Sequence, residues 1–166
     1  MTQIDQFESV FKAAARTPFE DLKRPWKHWL FISDRDADFT QRLGDQTAHF
    51  LSIVCHQRST LTQADYQALG DLLEKVNTLN PDLILTYRNL KTDNWKWPYS
   101  LGSYLDVLTQ ATTIPVLVLP HPDPSGQLSF PETDCRDVMA VTNHLTGDNA
   151  LVSAALDFTP AQGQLW

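Results

Sequence analysis

Short apolar runs separated by helix-period segments constrain this chain more than any other feature. "WLFIS" (29–33), "LILT" (83–86) and "IPVLVLP" (114–120) show no polar alternation. A strand that is apolar at successive positions is covered on both faces, as in a parallel sheet. Between these runs, apolar residues recur at helical spacing: Phe39, Leu43 and Phe50, then Tyr66, Leu69, Leu73 and Val76, then Leu101, Leu105 and Leu108. "SIVCH" (52–56) reads as a further short strand ending at His56. Strands alternating with helices predict an α/β fold, with a doubly wound parallel sheet and helices on both faces. An amphipathic helix over 4–15, ending before Pro18, precedes the first strand.

Cap residues punctuate the same pattern. Asp38 is placed to cap the helix that begins at Phe39, and Ser100 the helix that contains Leu105. "TQAD" (62–65) resembles a capping box with Asp in place of Glu. "HPDPSGQLSFPETD" (121–134), rich in proline, reads as a linker. Beyond it, "DVMAVTNHLTGDNALVSAALDF" (137–158) gives another strand, loop and helix. Gly147 and Asp148 open that helix, and Leu151, Val152, Ala155 and Leu156 point inward. "GQLW" begins a further strand. This tail repeats the first strand–helix unit, with Asn143 where Asp34 stands at the first strand tip. The expected organisation is a domain over 1–122, a linker over 123–134 and the start of a second repeat over 135–166. Such an incomplete repeat packs on the first domain's sheet, exchanges with another chain, or belongs to a longer tandem protein.

Composition removes several function classes. The net charge of −7 argues against broad binding to nucleic acid or to an anionic membrane. No segment approaches the ~20 apolar residues that span a bilayer, and the first residues carry acids without an unbroken apolar stretch, so a cytoplasmic location is expected. Cys55 reads as a small buried hydrophobe and Cys135 as a linker residue, which makes neither a disulfide framework nor a zinc site.

Chemistry-bearing residues gather at strand ends. Asp34, His56, Tyr87, His121 and His144 all fall just past the carboxyl ends of expected strands, the edge where open α/β sheets bind ligands. Asp34, His56 and His144 would be the metal or hydrolytic reading, but no metal-ligand spacing supports it, and polar strand ends usually just cap a sheet. The loop after "LILT" carries Arg88, Lys91, Trp95, Lys96, Trp97 and Tyr99. It pairs an anion with Arg88 and stacks a ring on a tryptophan, or, the favoured alternative, it packs its tryptophans on the sheet end or a dimer surface with its lysines in solvent. Thr146, Gly147 and Asp148 form an anion-binding helix start or an ordinary cap. A phosphorylated receiver domain is rejected, because the third strand offers no acceptor aspartate and "PVLVLPHP" no lysine. No GxSxG or Cys-His arrangement points to a nucleophilic enzyme.

Three segments resemble the universal stress protein family, within the adenine-nucleotide α-hydrolase-like group. "WLFISD" is similar to its first strand, "NPDLILTYR" to its fourth, and "SLGSYLDVLTQATTIPVLVLP" to its characteristic end; "VMAVTNHLTGDNALVSAALDF" looks like the start of a second such domain. The resemblance implies a Rossmann-like or flavodoxin-like sheet in an abbreviated or tandem-type domain acting in stress response. Its ATP-binding members use Gly-x2-Gly-x9-Gly-Ser/Thr, glycines that let backbone amides approach phosphate. Only Gly102-Ser103 remains here: the earlier glycine places fall on Asn89 and Thr92, or on Tyr87 and Leu90. The motif is degenerate, so ATP or AMP is disfavoured as a cofactor. The leading expectation is a non-catalytic domain acting as a homodimer or with a protein partner, through an edge near 116–119 or the strand at Val138. The alternative is a module for an adenine nucleotide or another anionic ligand, bound by Asp34, Arg88, Gly102 and Ser103.

Overall fold

A computed structural model describes residues 19–24, 26–92, 97, 99–123, 125, 127–130, 135–141 and 148–166. The expected helix over 4–15, and Trp95, Lys96, Asn143, His144, Thr146 and Gly147, lie outside the described residues. The chain divides into two compact units, Pro25–Arg136 and Met1–Arg24 with Asp137–Trp166.

The Pro25–Arg136 unit is built on strand β1 (His28–Ile32), whose residues 29–32 are fully buried. Helix α1 (Ala37–Leu51) follows, then β2 (Gln57–Leu61), α2 (Leu69–Leu79), β3 (Leu83–Tyr87), α3 (Ser103–Ala111) and β4 (Val116–Leu119). The strands pair in parallel in the order β2-β1-β3-β4, with Ile32 opposite Leu61, Phe31 opposite Leu85 and Tyr87 opposite Leu119. The expected α/β parallel sheet is therefore present. From β1 the chain steps to β2 on one side, then returns past β1 to β3, so the switch point lies between the carboxyl ends of β1 and β3.

Several boundaries differ from the sequence expectation, each for a local reason. "SIVCH" is not a strand: Ser52 caps α1 in the left-handed region (φ 54°) and Val54 is 73 % exposed. The strand is the polar stretch after it, "QRSTL", at the sheet edge, where one flank meets solvent and unbroken hydrophobicity is not required. His56 consequently sits before the amino end of β2, at the opposite end of the sheet from the Asp34 edge. Cys55 is half-buried, with its Sγ 3.2 Å from the Gln57 carbonyl. Asp36, not Asp38, caps α1 by accepting the Phe39 N–H at 2.8 Å; Asp38 lies in the first turn, where a carboxylate favours the helix dipole.

Thr62 and Asp65 do not open α2. The Asp65 carboxylate accepts the Thr62 N–H (2.7 Å) and hydroxyl (2.8 Å), closing a turn after β2. The helix starts at Leu69, where Asp71 accepts the Ala68 N–H. Tyr66 precedes the helix and is buried whole. Gly102 caps α3; Ser100 instead accepts the Gly102 N–H, and Leu101 is 40 % exposed while Leu105 and Leu108 point into the core. After β4, Leu128 is buried in the same core and Phe130 packs on Phe50 at 5.5 Å between ring centres.

In the other unit, β5 (Asp137–Val138) and β6 (Gln164–Leu165) pair in parallel around helix α4 (Asn149–Asp157). The described residues of this unit thus include one strand–helix–strand arrangement. Ser153 and Ala155 form the buried positions of α4, whereas Leu151 and Leu156, expected inward, are exposed. The Leu22 N–H donates to the Ser153 hydroxyl at 2.8 Å. Among the described residues, no helix is long and apolar enough to cross a membrane.

Candidate functional site

The switch-point crevice is bounded by residues 33–35 after β1 and by the turn after β3. Asn89 (φ 62°) and Lys91 (φ 53°) both adopt left-handed backbone, which folds this turn back over the strand ends. Asparagine enters that region readily; a lysine there needs support from its surroundings. Asp34 supplies it. Its carboxylate accepts the Lys91 N–H at 2.7 Å and a short hydrogen bond from the Tyr87 hydroxyl. The Asp34 N–H in turn donates to the same phenol oxygen at 3.1 Å. Asp34 keeps 21 % exposure, with the Arg35 Nε 3.8 Å from its Oδ1.

The surrounding groups lock this arrangement. The Lys91 ammonium donates to the Tyr66 carbonyl at 2.6 Å and lies 4.3 Å from the centre of the Tyr66 ring, a cation–π geometry. The Tyr66 hydroxyl donates to the Ser33 carbonyl at 3.1 Å. Phe39 and His121 each present an edge-type contact to the Tyr87 ring. Burial first, and then Asp34, push both phenols above their ordinary value, through the negative charge at Tyr66 and the hydrogen bond at Tyr87. The phenols are therefore held neutral, and Tyr87 acts as a hydrogen-bond donor to a carboxylate.

Asp34 and Tyr87 thus meet, as their places at strand tips suggested. Lys91, noted in the sequence only as a basic loop residue, joins them through its backbone. Tyr66, read there as a helix residue, holds the lysine. A signal for it existed: a tyrosine at an apolar position requires a hydrogen-bond partner once buried. Arg88 contributes main-chain ties, its N–H to the Leu119 carbonyl at 2.9 Å and its carbonyl 2.9 Å from His121 Nδ1.

Gly102 and Ser103 open α3 against the far side of the same turn. The Asn89 N–H donates to the Leu101 carbonyl at 2.7 Å. Gly102 has φ +89°, and a Cβ there would meet the Asn89 Cα at 2.9 Å and the Thr92 Oγ1 at 3.0 Å. The glycine is required, but by contact with the protein's own backbone. The resemblance implies a nucleotide whose phosphates lie along this turn. The residues do not fit one held in that manner: Asp34 is bonded to Tyr87 and Lys91, and the space over Gly102 is taken by Asn89 and Thr92.

The amide atoms of Asn89 and the Thr92 hydroxyl nevertheless lie buried with no hydrogen-bond partner among the described residues, as does the Thr86 hydroxyl. Buried polar groups left unpaired are costly, and a polar guest would relieve them. Among the described residues, no group of three or more His, Cys, Asp or Glu side chains converges as a metal site. Comparison with protein-family models, with curated proteins and with solved structures finds no match to this chain.

Proposed function

We propose that this chain is a non-catalytic, universal stress protein-like domain that acts by association, as a homodimer or with a protein partner, and does not bind ATP in that family's usual manner. The stress-response setting rests on the resemblance of the quoted segments alone. The observation that carries the reading is the closed switch point: Tyr87, Asp34 and Lys91 satisfy one another where an α/β sheet otherwise receives a ligand. What this unit offers outward is its sheet edge. β4 pairs only with β3 among the described residues, and Val116, Leu117 and Val118 are each partly exposed. An unpaired apolar edge strand is a template for another chain.

Light scattering and sedimentation over a dilution series test this reading. The expected result is a dimer that dissociates on dilution and is lost in Leu117→Lys, since an edge lysine blocks strand addition. Leu117 is outside the main core cluster and partly exposed, so the variant is expected to keep the fold, and a native circular dichroism spectrum checks that it does. A monomer at every concentration, with no partner retained, sinks the proposal.

The unpaired Asn89 and Thr92 groups beside Gly102 and Ser103 favour a second reading, a binding module for an adenine nucleotide or another anionic ligand. Thermal shift with ATP, ADP, AMP and pyrophosphate separates the two. A ligand bound only by the folded chain must raise its melting temperature, so no rise at millimolar concentration eliminates this reading.

A further inference from the structure

The opposite edge of the sheet carries a different surface. β2 pairs only with β1 among the described residues. The Gln57 N–H donates to the Lys27 carbonyl, and the Leu61 carbonyl accepts the Ser33 N–H. In a parallel ladder alternate residues bond to the same neighbour, so Gln57, Ser59 and Leu61 face β1. The N–H and C=O groups of Arg58 and Thr60 therefore turn outward.

A cleft of about 790 Å³ runs between this edge and α2. Ser59 and Thr60 line one side, and Asp65, Asp71, Glu74 and Lys75 supply its charged side chains. Lys75 is its one cationic lining residue among the described residues, against three carboxylates. Asp65 is kept ionised by the Thr62 N–H and hydroxyl, which hold its carboxyl below the ordinary range. The Asp71 carboxylate accepts the Ala68 N–H at 3.1 Å. The nearby Lys91 ammonium is committed to the Tyr66 carbonyl and ring.

We propose that the β2 edge and this cleft bind an extended protein segment bearing lysine or arginine at alternate positions, added to the sheet beside β2. The open N–H and C=O groups of Arg58 and Thr60 supply the main-chain pairing. Asp65, Asp71 and Glu74 select the cationic side chains, which a strand presents on one face at every second residue. The inference uses neither β4 nor the Asp34 crevice, so it stands or falls apart from the proposed function.

The probe is a short capped peptide of alternating lysine and valine, with a glutamate–valine peptide as its counterpart. Fluorescence anisotropy measures binding, and amide hydrogen exchange locates it. The lysine peptide is expected to bind, to protect the Thr60 and Arg58 amides, and to weaken as salt is added. The glutamate peptide is expected to leave both amides unprotected. Glu74→Lys should weaken the lysine peptide about fivefold, the scale of one exposed charge pair. Thr60→Pro deletes only an outward N–H, which an edge strand tolerates, and should abolish binding with the circular dichroism of the native chain.

Should Thr60→Pro fail to fold, the Glu74→Lys and exchange results decide. Equal binding of the two peptides, unchanged exchange at Thr60, or full affinity in Glu74→Lys overturns the proposal. Protection of Thr60 that rises with protein concentration in the absence of peptide also overturns it, by assigning the edge to a second copy.

Discussion

Tyr87 joins the sheet to the loop that closes it, and its chemistry makes that role testable. Its ring is buried against Phe39 and its hydroxyl donates to Asp34, so the phenolate is disfavoured twice, by lost solvation and by a neighbouring negative charge. Tyr66 is raised for related reasons, burial first and then the charge of Asp34. In the unfolded chain both phenols ionise near the ordinary value of 10.0. The folded form holds its protons to higher pH. The stability from these groups is therefore complete below that value and is lost as pH climbs from it toward the raised folded values. We expect an alkaline titration in which the phenolate absorbance of Tyr66 and Tyr87 appears only as the helical circular dichroism collapses. Full ionisation of all the tyrosines while that signal persists would contradict the closed arrangement.

At the scale of elements, two helix starts give opposite expectations for one substitution. Gly102 begins α3 with positive φ, and its missing Cβ makes room for the Asn89 Cα. Gly102→Ala should cost about 1–3 kcal/mol, from the strained backbone and the forced shift of the turn. Gly70 lies in the first turn of α2 with nothing within 4 Å of its missing Cβ. Gly70→Ala should stabilise by about 0.5–1 kcal/mol, since alanine loses less freedom on entering a helix. Urea denaturation of both variants checks the pair of signs; a Gly102→Ala protein as stable as the native one would break the account of the α3 start. The same contrast explains what could be read from the sequence. β1, β3 and β4 were legible because strands inside a parallel sheet carry unbroken apolar runs. β2 was displaced onto "SIVCH" because an edge strand has no such signature, and an apolar helix exit imitated one. Asp34 was legible as a strand tip. Its closure by Tyr87 and Lys91 was not, because it depends on left-handed backbone at Asn89 and Lys91, and a lysine does not announce that conformation in a sequence.

At the scale of the molecule, the two units differ in how each sheet is supported. Among the described residues, the main hydrophobic cluster, from Leu30 through Leu128 with Phe130 packed on it, is drawn wholly from Pro25–Arg136. The four-stranded ladder belongs to the same unit, as does the Asp82 carboxylate that accepts the Lys27 and His28 N–H groups at the entry to β1. Such a unit has its own core and should fold alone. The described residues of Asp137–Trp166 form strands of two residues each around one helix. Two short strands do not form a stable sheet in water by themselves. A fragment spanning Pro25–Arg136 is therefore expected to unfold cooperatively in urea, with dispersed amide resonances and protected exchange along β1 and β3. A peptide spanning Asp137–Trp166 should show neither. A fragment without a cooperative transition would mean that the core depends on residues outside Pro25–Arg136. The closed Asp34 site, contained entirely in that unit, would then have to be reinterpreted with it.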